Sequence, residues 1–270
     1  SSHFGSSHSL LALANATQDA KPLGSAAMGI CSGRESCLRL GGIGSDSAMS
    51  CEQFLAAVPA SGVVLDIDDT LSDTTLHWIR LLADRFGSPD PSLSMEELAA
   101  RYRRTALEEV PQWRSDASRA FIEHLASDPV LQAVGLPVID GAVEGVRSLA
   151  QVVSVVGYVT VRPAAAVGLT REWLAVCGFP GLPVLARPAD VPPEAGSQWK
   201  GTVLRELHPR VVGIVDDSRS VLKACGEDYG GVFFLFGGGG CEEVPSFCVP
   251  CHTWRDVLAA ARLRFAPEAL

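Results

Sequence analysis

Residues 63–71 read VVLDIDDTL, aliphatic residues running straight into three aspartates, Asp66, Asp68 and Asp69. A short apolar run of this kind reads as a buried strand, and charge crowded at its end calls for a reason. In an open parallel sheet, ligands gather beyond the carboxyl ends of the strands. Asp66 and Asp68 are two apart, so a chain that curls after the strand can bring both to one site. Two carboxylates held close repel each other unless a cation compensates or one carries a proton. The stretch therefore predicts a metal.

A second acidic pair stands where the same logic would put it. VVGIVDDS, residues 211–218, is another aliphatic strand ending in carboxylates, Asp216 and Asp217. Hard oxygen ligands from two strand ends suit Mg2+. Between the two, YVTVRP (158–163) closes a strand with the hydroxyl of Thr160, two residues ahead of Arg162. Lysine is scarce, occurring at Lys21, Lys200 and Lys223, and Lys200 opens a helix between Thr160 and the second acidic pair.

Around these stretches, strands are expected at Gly62–Asp66, Val152–Thr160, Val184–Ala186, Val211–Asp216 and Val232–Phe236. Helices alternate with them at 141–149, 167–177, 199–207 and 220–225, and an amphipathic helix closes the chain from about Thr253. That alternation predicts an α/β fold, a Rossmann-like parallel sheet covered on both faces. Residues 72–136 read as helices, with Leu76, Ile79, Leu82, Ala83 and Phe86 at spacings of three and four. They form an insertion after the first strand, a helical cap domain, which leaves 51–71 and 137–270 as the core domain. Residues 1–50, rich in Ser, Gly and Ala, are expected to be a flexible segment.

Composition narrows the function classes. The 270 residues are 47% hydrophobic, enough for a substantial core, and the formal net charge is −9. A surface of that sign repels a polyanion, so no nucleic-acid polymer is expected as partner. No run approaches the roughly 18 to 20 apolar residues that a membrane-spanning helix needs, so no membrane partner is expected. LLALANA (10–16) is too short and lacks a preceding Lys or Arg to read as a secretory signal, so a cytoplasmic location follows. Eight cysteines would allow disulfides, yet a chain with a full aliphatic core does not need them, and reduced thiols are expected. CVPCH (248–252) has haem-attachment spacing, and Cys241, Cys248, Cys251 and His252 could hold zinc. The simpler reading is a short strand leading into the closing helix.

The ordered set DIDDT, Thr160, Lys200 and VDD resembles the four signature motifs of the haloacid dehalogenase superfamily, whose phosphatases carry a DxDxT first motif. The resemblance covers the chain from about Gly62 onward and makes residues 72–136 a C1-type cap. It implies that Asp66 is the nucleophile, Asp68 the general acid and base, and Thr160 and Lys200 the phosphate holders. Mg2+ would be held by Asp66, Asp216 and the backbone carbonyl of Asp68. Asp217 would ligate through water or cap the next helix. Arg162 would reach a substrate phosphate or carboxylate, or else pair with the acidic cluster. Dehalogenases of the superfamily lack the second aspartate, so Asp68 points to phosphoryl chemistry on a small phosphorylated metabolite. Two alternatives are a phosphomutase, which usually has glycine where Asp69 stands, and a non-catalytic phosphate-binding protein.

Overall fold

Gly62–Leu65 (β1) is buried at every position, and its side chains divide between the two faces of a sheet, as the two-residue period of a strand requires. The computed structural model describes residues 49–58, 60–238 and 243–266. The expected amino-terminal segment therefore lies almost wholly outside the described residues. After Cys51–Ala57 (α1) and β1, the chain runs through three helices, Thr74–Phe86 (α2), Met95–Tyr102 (α3) and Asp116–Ser127 (α4). Alternation then sets in: Ala142–Leu149 (α5), Val155–Pro163 (β2), Val167–Val176 (α6), Val184–Arg187 (β3), Gly196–Leu207 (α7) and Val211–Asp216 (β4). Arg219–Cys225 (α8), Val232–Phe236 (β5), Cys248–Cys251 (β6) and Trp254–Phe265 (α9) complete it.

Among the described residues the sheet has six strands, ordered β3-β2-β1-β4-β5-β6, every pair parallel. This is the Rossmann-like, doubly wound arrangement, with the reversal of strand order beside β1. Val63 and Leu65 join the cluster that holds Ala142, Trp173 and Val257, on the face of α5, α6 and α9. Val64 joins Phe54, Leu204 and Val221 on the face of α1, α7 and α8.

The helices of the insertion bury a core of their own. Leu76, Ile79, Leu82, Leu98, Trp113 and Ile122 form one cluster, drawn entirely from residues 76–122. Ser94 caps α3 in a reciprocal box with Glu97, and Asp73 caps α2 by accepting from the Leu76 N–H. Beyond α3, Leu107 falls on a short 3-10 turn.

The second strand begins and ends three residues later than expected. Val152 and Val153 both donate to the Leu149 carbonyl and so finish the turn after α5 rather than start β2. At its other end β2 passes Thr160 and reaches Pro163, with a break in register before Pro163 pairs with Arg187. A bulge accommodates a proline that has no N–H for the ladder. The stretch after β5 resolves as the strand-then-helix reading of CVPCH: Cys248 and Cys251 are buried on β6, and Thr253 caps α9. Cys241 lies outside the described residues. Among the described residues no helix is long and apolar enough to cross a membrane.

Candidate active site

Parallel register places the acidic residues. Leu65 pairs with Val215, so the next residues, Asp66 and Asp216, emerge side by side at the carboxyl ends of β1 and β4. The Asp66 N–H donates to the Val215 carbonyl at 2.9 Å and fixes that exit. Leu65 also pairs with Tyr158, so Thr160 lies two residues further toward the same edge of the sheet. This edge is the switch point of the strand order, where open α/β sheets form their crevice.

Lys200 arrives from the side, on the first turns of α7. That helix comes very close to α8: a Cβ on Gly201 would stand 2.5 Å from the Ala224 backbone, so only glycine fits. The close packing directs Lys200, itself fully buried, into the acidic site. Its ammonium bonds Asp66 Oδ1 and lies 2.7 Å from Asp216 Oδ2. Asp216 Oδ1 accepts the Ser218 N–H at 2.8 Å, whereas its buried Oδ2 accepts no aligned hydrogen bond.

Oxygen atoms of Asp66, Asp216 and Asp217 all lie within 4.8 Å of one another. Three carboxylates thus face one ammonium, Asp66 and Asp216 buried and Asp217 partly exposed. Burial raises the Asp66 pKa to about 7, with the charges of Asp216 and Asp68 adding to it against Lys200. Asp217 is raised well above the carboxylate range, first by burial and then by Asp216 and Asp66. Burial would lower the Lys200 pKa, but Asp216 and Asp66 outweigh it and raise it. Such a cluster has too little positive charge for its carboxylates. An all-oxygen donor set in which three carboxylates share one ammonium fits a hard divalent cation.

Asp68 belongs to different surroundings. A tight turn follows Asp66, in which Leu71 and Ser72 N–H both return to the Ile67 carbonyl. The turn brings residues six apart together: Thr74 Oγ1 donates to Asp68 Oδ1 at 2.6 Å, and the Thr75 N–H donates to Asp69 Oδ1 at 3.0 Å. Arg162 grips the same Asp68 carboxylate in a fork, Nε to Oδ2 at 2.9 Å and Nη2 to Oδ1 at 2.7 Å. The guanidinium is only 3% exposed and also donates through Nη1 to Thr170 at 3.2 Å. Burial alone would raise the Asp68 pKa, but Arg162 and Thr74 outweigh it and lower it.

The sequence-predicted residues therefore fall into two groups. Asp66, Asp216, Asp217 and Lys200 converge; the Asp68 side chain sits outside that trio, held by Arg162. Of the two readings of Arg162, the ion pair with the acidic residues is the arrangement present. The capping reading of Asp217 goes to another residue, since Ser218 caps α8 by accepting from the Val221 N–H. Thr160, fully buried, accepts the Arg162 N–H at 3.2 Å.

Sequence reasoning offers His77, Arg80, Arg103, Arg104 and Trp113 as insertion residues able to face the site, without saying which do. Arg103, just after α3, bonds Asp69 and Asp73 at 2.7 Å each, and Arg104 donates to the Gly237 carbonyl after β5. Asp69 holds its place with a left-handed backbone, φ 53°. These residues help line a cavity of about 380 Å³ that also includes Asp217, Phe236 and His252.

No protein-family model and no curated protein matches the chain. Solved structures do. The chain is similar to a haloacid dehalogenase-like hydrolase from Streptococcus pneumoniae, at 15% identity over 74% of this chain and 98% of that one, with a TM-score of 0.48. It is similar to a HAD-superfamily hydrolase of subfamily IA from Geobacter sulfurreducens PCA, at 19% identity over 76% and 97%, with a TM-score of 0.44. A HAD family hydrolase from Deinococcus radiodurans R1, solved with bound phosphate and sodium, matches at 15% identity over 76% and 98%, with a TM-score of 0.41.

Proposed function

We propose that the chain is a Mg2+-dependent phosphatase of the haloacid dehalogenase superfamily, hydrolysing a small organic phosphomonoester through an aspartyl phosphate on Asp66. One observation carries this reading: Asp66, Asp216 and Asp217 meet at the switch point with Lys200 among them. Mg2+ held there by Asp66, Asp216, Asp217 and the Asp68 backbone carbonyl would offset charge between a carboxylate nucleophile and an anionic ester.

Asp66 attacks phosphorus through a carboxylate oxygen as the bond to the leaving oxygen breaks with its electron pair. Lys200, pinned between Asp66 and Asp216, offers its ammonium to the phosphoryl oxygens, and Thr160 offers its hydroxyl. Asp68 passes a proton to the leaving oxygen. Because Arg162 favours the ionised form of Asp68, that proton must first arrive from solvent or with the ester. In the second half Asp68 takes a proton from water, the water oxygen bonds to phosphorus, and the bond to Asp66 breaks. The carboxylate is then ready for another cycle, and proton transfer of this kind contributes about 10²- to 10⁴-fold in rate.

Residues 72–136 act as the cap over this chemistry. Arg103 and Arg104 bring it against the core, and the adjoining cavity takes the leaving group. A site so enclosed suits a small phosphorylated metabolite in the cytoplasm.

The test is release of phosphate from 4-nitrophenyl phosphate with and without Mg2+, repeated for Asp66→Asn. Wild type should turn over only with the metal, and the variant should lose about 10⁴-fold or more in kcat. Equal release by both would overturn the assignment of the nucleophile.

A further inference from the structure

The fork between Arg162 and Asp68 is geometrically complete. Both carboxylate oxygens are taken, Oδ2 by Nε at 2.9 Å and Oδ1 by Nη2 at 2.7 Å. The other guanidinium nitrogen holds Thr170 at 3.2 Å, which ties the fork to α6. The backbone of Arg162 is fixed as well, its N–H bonded to Thr160 Oγ1 and its residue built into β2. All three guanidinium nitrogens are bonded within the protein, to Asp68, Thr170 and Ser72, which commits them away from a ligand.

We propose that Arg162 is a positioning residue that aims the Asp68 carboxylate at the leaving oxygen and makes no contact with the substrate itself; this rests on the phosphatase reading. A bidentate guanidinium fixes the plane as well as the place of a carboxylate, which a single ammonium cannot do. Proton transfer depends on that orientation, so loss of Arg162 weakens the step that needs a proton and spares the step that does not.

The experiment compares 4-nitrophenyl phosphate, whose leaving group departs without a proton, with benzyl phosphate, whose alkoxide needs one. Because kcat/KM reports the first half-reaction, Arg162→Gln should lower it about 10²-fold for benzyl phosphate and less than about tenfold for 4-nitrophenyl phosphate. Arg162→Lys should restore little. Thermal unfolding is recorded for each variant. A double variant, Asp68→Asn with Arg162→Gln, avoids leaving a buried charge unpaired. Relative to Asp68→Asn alone it should lose no further activity on benzyl phosphate. Equal losses on both substrates, with raised KM or with lowered Tm, would overturn the inference alone. So would a further loss in the Asp68→Asn background. A wild-type protein inactive on every phosphomonoester would overturn the phosphatase reading and the inference with it.

Discussion

Asp66 shares the single ammonium of Lys200 with Asp216, and Asp217 lies in the same cluster; Asp68, one residue beyond Ile67, has a guanidinium and a threonine hydroxyl on its own carboxylate. Both aspartates stand at one sheet edge, Asp66 buried and Asp68 partly buried, and desolvation pushes both pKa values upward. They part because of what stands opposite. The first cluster is left short of positive charge and Asp66 rises to about 7; the second is saturated and Asp68 falls. A deficit of cations marks a place for a metal, and a closed ion pair marks a side chain held in aim.

Removing Lys200 should deepen the contrast most. Lys200→Met leaves Asp66 and Asp216 buried with no ammonium, and loss of one partner from a buried pair costs about 3–5 kcal/mol. Urea unfolding of the metal-free protein measures it, and unchanged stability would contradict a charge-starved cluster. Mg2+ should narrow the contrast from the other side. A ligand at a hundred times its Kd stabilises by about 2.7 kcal/mol, so Tm should rise with added MgCl2 and fall back with chelator. A Tm indifferent to both would break the comparison. The smallest effect has the opposite sign. With its folded pKa raised, Asp217 contributes stability below the unfolded pKa and loses it as pH rises through the folded value. At neutral pH Asp217→Asn should therefore raise the Tm of the metal-free protein by about 2–4 °C, the shift that ~1 kcal/mol gives a domain of this size. The same variant should respond less to Mg2+; a lowered Tm would show that Asp217 is already compensated.

The strands and their acidic ends were legible because a buried parallel strand is an unbroken aliphatic run, and VVGIVDDS repeats the chemistry of VVLDIDDTL. The helix at Thr74–Phe86 was legible from the spacing of Leu76, Ile79 and Leu82. Strand order was not, since nothing in a single run of residues says which neighbour it pairs with. The commitment of Arg162 was hidden for a similar reason: its partner is 94 positions away, and both a ligand and an ion pair want arginine. Which of the insertion's candidates would engage, Arg103 among them, was hidden too. Its bonds depend on how α3 comes down on the loop after β1, a matter of tertiary packing rather than of pattern.

Asp69 takes a backbone conformation that glycine would adopt freely and that costs an ordinary residue about 1 kcal/mol. Glycine, however, has no carboxylate for Thr75 and Arg103 to hold. The kink thus serves its side chain, and one awkward residue stitches the rim of the sheet to Thr75 and to Arg103, 34 positions away.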